Sequence, residues 1–94
     1  MNAFQIESCV QIANHYGLES QELMAIEEMS ELTKEICKRR RGNDNREKII
    51  DEIADVKIMI TQLEHLLDIS KEVSLRIDYK CQRQLRRMEQ KRGD

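Results

Sequence analysis

No proline interrupts this chain, and glycine stands only at positions 17, 42 and 93. Proline fixes φ and removes a backbone donor, glycine loosens the backbone, and between them they mark most turns. A chain almost free of both, and rich in Glu, Lys, Arg, Gln, Leu and Ile, has few places to turn and many residues that favour helix. The sequence therefore predicts an all-α fold. Phe4, Tyr16 and Tyr79 are its only aromatic residues, so the core must be aliphatic and Met-based. Its 94 residues suit a single domain spanning 1–94. So short a chain buries a limited share of its surface, which makes association a source of extra core.

Hydrophobic periodicity places four helices. The first runs from about Ala3 to His15, with Ile6, Cys9, Val10 and Ala13 on one face and Gly17 just past its end. The second starts after Ser20 as N-cap and runs to about Arg41, with a seam of Ala25, Met29, Leu32 and Ile36. The third starts after Asp44, with Glu47 as capping-box partner. Its seam is the cleanest: Ile49, Ile53, Val56, Ile60, Leu63 and Leu67. The fourth starts after Ser70 and turns Val73, Ile77, Cys81, Leu85 and Met88 inward. Short connections favour antiparallel neighbours, so the expected architecture is an antiparallel four-helix bundle-like protomer, completed by dimerisation.

Two segments nearly repeat each other. Glu27-Glu28-Met29-Ser30-Glu31-Leu32 and Asp51-Glu52-Ile53-Ala54-Asp55-Val56 both read acid, acid, apolar, small, acid, apolar. In a helix, Glu28/Glu31 and Glu52/Asp55 each form a carboxylate pair, about 5–6 Å apart at Cβ, and like charges there repel. Each pair precedes a seam residue and so lies about 100° round the helix from its seam. Packed antiparallel, the second and third helices would line one groove with four carboxylates, a geometry that calls for a hard cation. Oxygen ligands favour Mg²⁺, with Mn²⁺ as a substitute, over zinc or copper. A di-iron bundle needs Glu-x-x-His, but His15 and His65 follow Ile12 and Gln62 at that offset. No EF-hand loop is present either. Mg²⁺ usually completes its shell with water and substrate phosphates, which points to phosphate-ester or anhydride chemistry.

Glu27-Glu28-x-x-Glu31 followed after twenty residues by Glu52-x-x-Asp55 resembles the E-E-x-x-E … E-x-x-D signature of the MazG-like nucleotide pyrophosphohydrolases. These belong to the all-α NTP pyrophosphatase superfamily. The resemblance covers roughly residues 20–90. Lys80, Gln84 and Arg87 fall at the offsets of that family's later K-x-x-x-N-x-x-R motif, with Gln in place of Asn. The resemblance implies hydrolysis of a (deoxy)nucleoside triphosphate to the monophosphate and pyrophosphate. It implies Glu28, Glu31, Glu52 and Asp55 as metal ligands, with Glu31 or Glu52 orienting the attacking water. Lys80, Arg83 and Arg87, on a basic stripe beside the fourth seam, would hold phosphate. Glu27, Glu35 and Gln84 are auxiliary candidates. The family likeness also favours a homodimer or a dimer of dimers.

Charge distribution weighs on partners. Acids dominate residues 1–37 and 49–72, whereas bases dominate 38–48 and 73–94. That alternation suits a metal plus a phosphate better than a nucleic-acid surface. The run Lys38-Arg39-Arg40-Arg41 is explained by the negative end of the helix it closes. A phosphate or polynucleotide contact is the other reading of that run. No apolar stretch approaches the roughly 20 residues of a membrane span. Nor does a basic segment followed by an apolar run suggest a secretory leader. Three widely spaced cysteines, Cys9, Cys37 and Cys81, read as reduced core residues of a cytoplasmic protein. The competing function is a non-catalytic helical binding or regulatory module whose acidic groove docks a basic partner.

Overall fold

In the computed structural model, which describes residues 1–93, the chain forms four helices and, among those residues, no strand. They are α1 (Ala3–Tyr16), α2 (Leu18–Arg40), α3 (Arg46–Leu66) and α4 (Ser70–Gly93). The all-α expectation holds. A capping box starts α1. Asn2 accepts from the Gln5 backbone N–H, and the Gln5 side chain accepts from that of Asn2, both at 2.8 Å. The Asn2-x-x-Gln5 pattern carries this signal in the sequence.

Gly17 alone joins α1 to α2. Its φ of 87° and ψ of 168° lie in a region that is essentially glycine-only. The second helix thus starts at Leu18, and Ser20 is an internal residue, not its N-cap. The N-cap of α3 is Asn45, not Asp44, and it makes no side-chain capping bond. Glu47 pairs with Arg46 at 3.4 Å instead of closing a capping box.

The core is small and lies where α1 and α2 pack on α3. Cys9, Ala13, Ala25, Val56 and Met59 are its buried apolar residues. Its largest fully buried side chain is polar: Gln62 is 1 % exposed and accepts a 2.7 Å hydrogen bond from Gln21, itself buried. An unpaired buried amide is costly, so this bond fixes the register of α2 against α3. The sequence seams differ from this packing. On α2 the covered face runs Gln21, Ala25, Glu28, Leu32, Glu35, and Met29 and Ile36 lie outside it. On α3 it runs Ile49, Glu52, Val56, Met59, Gln62, with Ile53, Ile60 and Leu67 exposed. Ala25 has no bulk to hold the helices apart, and the paired glutamines are satisfied inside. The contact therefore settles beside the bulkier apolar stripe.

α4 packs on α3 alone among the described residues. Its expected inward residues do not turn into a protomer core: Ile77, Leu85 and Met88 are exposed, as is Cys81, and Val73 is half-buried. Cys37 is exposed as well, so only Cys9 meets the expectation of a buried thiol. The radius of gyration is 16.6 Å, against about 12–13 Å for a compact chain of this length. Amphipathic periodicity is present in α4, but no other element among the described residues covers that face. No helix among the described residues is long and apolar enough to cross a membrane.

Candidate metal centre

The Gln21–Gln62 register decides which acids meet. Two helical turns above Gln21 on α2 stands Glu28, and two turns below Gln62 on α3 stands Asp55. Carboxylate oxygens of Glu28, Glu52 and Asp55 lie within 4.8 Å of one another. Glu28 and Glu52 are half-buried on the covered faces, and Asp55 is exposed at the rim. The acids thus sit partly between the helices, not about 100° away from the contact as the seams suggest.

The electrostatics follow from this placement. Burial pushes the Glu28 carboxyl up from its ordinary value, and the charges of Asp55 and Glu52 add to the effect. Burial likewise raises Glu52, with Asp55, Glu31 and Glu35 contributing. Glu52 Oε2 is buried and has no hydrogen-bond partner. No cation of the protein enters the trio: among the described residues the ion pairs are Lys38–Glu35 and Arg46–Glu47. Three converging carboxylates, one with a buried unbonded oxygen, form an all-oxygen donor set suited to Mg²⁺ or Mn²⁺.

The other sequence candidates separate around this trio. Glu31 is exposed and outside it, yet close enough to raise Glu52. Glu27 is exposed and weakly affects Glu28. Glu35, two turns beyond Glu28, is only 5 % exposed and belongs to a different arrangement. Its carboxylate accepts from Asn45 Nδ2 at 2.9 Å and pairs with Lys38 at 3.4 Å. The Asn45 bond, with help from Lys38, holds its pKa below the ordinary value. Glu35 therefore anchors the α2–α3 turn.

Lys80, Gln84 and Arg87 are exposed on α4, and Arg83 is half-buried, with its guanidinium 5.8 Å from the Tyr79 ring centroid. None of them pairs with an acid of the groove within the protomer. Sequence reasoning missed Gln21, Gln62 and Asn45. The signal for Gln21 was its spacing, two turns before Glu28 as Glu28 is two turns before Glu35. Asn45 had no such signal, because its role depends on a bond across the turn. The chain matches no protein-family model, and comparison with curated proteins and with solved structures likewise gave no match.

Proposed function

We propose that this protein is a Mg²⁺-dependent hydrolase of (deoxy)nucleoside triphosphates, releasing the monophosphate and pyrophosphate in the manner of the MazG-like enzymes. The observation that carries the reading is the Glu28–Glu52–Asp55 cluster with its unbonded, buried Glu52 oxygen. Those three residues would hold the cation, and Glu31, one turn from Glu28, would serve its outer shell. Bound there, Mg²⁺ supplies neutralisation of phosphate charge and acidification of water. Glu31 or Glu52 would orient a water and accept its proton as the water oxygen attacks the α-phosphorus. The bond to the bridging oxygen breaks, and pyrophosphate leaves with that oxygen.

Assembly belongs to the same proposal. Met29, Ile36, Ile53 and Ile60 form an exposed apolar stripe beside the acids, and α4 leaves Ile77 and Leu85 uncovered. A homodimer or dimer of dimers would cover them and could bring Lys80, Arg83 and Arg87 of α4 to a groove. The same uncovered faces also favour a second reading, a helical interaction module without catalysis. A cytoplasmic nucleotide pool suits either the thiols or the substrate of the first reading.

The test is product analysis. The protein is incubated with each NTP and dNTP, with and without Mg²⁺. Mg²⁺-dependent release of monophosphate and pyrophosphate is expected, and Glu52→Gln should lower it by roughly 10²–10⁴-fold at unchanged helicity. No turnover with any nucleotide overturns the enzyme reading and leaves the interaction module. Diphosphate and phosphate as products would reject the pyrophosphohydrolase assignment.

A further inference from the structure

The outer residues of α2 and α3 repeat one spacing. On α2, Glu22, Ile26, Met29, Thr33, Ile36 and Arg40 step by 4, 3, 4, 3 and 4 residues, and all are exposed. On α3, Arg46, Ile50, Ile53, Lys57, Ile60 and Glu64 step in the same way, and all but the half-buried Glu64 are exposed. Alternating steps of 3 and 4 keep one face of a helix in line, as in the seam between packed helices. Members of both rows follow a covered residue by one position: Met29 follows Glu28, Ile36 follows Glu35, Ile53 follows Glu52 and Ile60 follows Met59. One position is about 100° of helix. Gln21 bonds Gln62 and Glu35 bonds Asn45, so α2 and α3 run antiparallel. The same rotation on two antiparallel helices brings both rows to one side of the pair.

That side carries opposite charges at its two ends. Glu22 and Glu64 stand at one end, Arg40 and Arg46 at the other. Glu22 and Arg40 are 18 residues apart, as are Arg46 and Glu64, a span of five turns or about 27 Å. Between the ends lie the exposed Ile26, Met29, Ile36, Ile50, Ile53 and Ile60. Lys57, the one charge between the ends of either row, lines the α1–α3 groove. Glu22, Arg40 and Glu64 enter no ion pair among the described residues. Arg46 has its exposed neighbour Glu47 at 3.4 Å, and an exposed pair contributes little.

From this pattern we propose that a second copy of the chain docks the same face against this one, turned end for end. A two-fold axis along the helices would set acids on acids and bases on bases. An axis across the helices reverses one copy, lays α2 on the partner's α2 and α3 on the partner's α3, and pairs unlike ends. Glu22 then meets the partner's Arg40, and Glu64 meets the partner's Arg46, each twice because the contact is isologous. The charges set the register, and the six apolar side chains supply the buried surface. A face about 27 Å long and two helices wide covers on the order of 500 Å². A stable interface takes about 800 Å² from each partner. α4 extends the contact: it leaves α3 at the Glu64 end with Ile77 and Leu85 uncovered, and the docking carries that end to the Arg46 end of the second copy. The inference goes beyond the proposed catalysis by fixing the face, symmetry and register of the assembly, and it holds with or without turnover.

Two charge-reversed forms of the whole chain test this, by size-exclusion chromatography with light scattering at low salt. Glu22→Arg with Glu64→Arg makes both ends of the face basic. Arg40→Glu with Arg46→Glu makes both ends acidic. Each form alone should raise the Kd for self-association by about tenfold or more, and added NaCl should narrow the gap from wild type. Mixed one to one, the two forms should recover association as a heterodimer, which also shows that both are folded. Glu22→Gln with Glu64→Gln adds no repulsion, so it should weaken association less and blunt its salt dependence. A wild type that is monomeric at every concentration, reversed forms that associate as wild type does, or a mixture of helical monomers that stays monomeric overturns the inference. The assay needs no nucleotide, so its failure is distinct from a failure of the proposed hydrolysis.

Discussion

The α2–α3 pair and α4 use similar residues to opposite ends. Along the pair, polar side chains occupy the covered face, with Gln21, Glu28, Glu35, Glu52 and Gln62 between or beside the helices, while Met29, Ile53 and Ile60 are exposed. Along α4, an apolar stripe of regular helical spacing is left uncovered, and its cations occupy another face. Buried polar groups are tolerated only when satisfied. In the pair, Gln21 and Gln62 satisfy each other at 2.7 Å, whereas one buried oxygen of Glu52 has no partner. The contrast teaches that the pair is organised around polar contacts, one of which leaves a carboxylate oxygen unpartnered. α4 instead leaves an apolar stripe exposed among the described residues.

Breaking the apolar side of this comparison should have the largest effect. Ile77→Asp with Leu85→Asp is expected to convert the assembly to monomers in size-exclusion chromatography with light scattering, at unchanged helical content per residue. A monomeric wild type, or an oligomer indifferent to both substitutions, would remove α4 from the interface. Next comes the polar register. Gln62→Leu strands the Gln21 amide in the core and should cost about 1–3 kcal/mol in urea unfolding. Adding Gln21→Leu removes the orphan and should recover most of that loss. Additive destabilisation would mean that the pair does not act as a unit.

The smallest effect is the pH dependence of the metal-free protein, and its two limbs have opposite signs. Glu28 and Glu52 have folded-state values above their unfolded ones. As pH rises through that interval the unfolded chain releases protons first, so stability falls. Glu35 is lowered, so its contribution is lost as pH falls through its folded-state value. Stability should therefore pass through a maximum near the ordinary glutamate range, about pH 4–5. Glu28→Gln should flatten the alkaline limb and leave the acid limb in place. Denaturant midpoints measured across pH read both limbs, and an alkaline limb unchanged in Glu28→Gln would refute the assigned cause.

Much of the fold was legible in the sequence, because helix existence depends on local propensity and breakers. Four helices and the turns at Gly17 and Gly42 follow from residue type alone. The phase of packing was less legible. Met29 and Ile53 are as apolar as core residues, but the small Ala25 and the Gln21–Gln62 bond rotate the contact away from them. Periodicity marks a face and does not say which molecule covers it, which is also why the α4 stripe read as inward. At the candidate site, Glu28, Glu52 and Asp55 were legible through their echo and antiparallel pairing. Glu31 was expected as a fourth ligand, but it is exposed and lies outside the trio. Asn45 was illegible because its function lies in a bond ten residues away, to Glu35.

The central claim is that the polar seam of α2 and α3 is completed by a divalent cation. Thermal unfolding at neutral pH with increasing MgCl₂, at constant ionic strength, tests it most directly. A ligand that binds only the folded state stabilises by about 2.7 kcal/mol at a hundred times its Kd. The wild type should thus show a saturable rise in Tm with Mg²⁺ that Glu52→Gln loses. A wild-type Tm indifferent to Mg²⁺, or an equal rise in Glu52→Gln, would contradict the account.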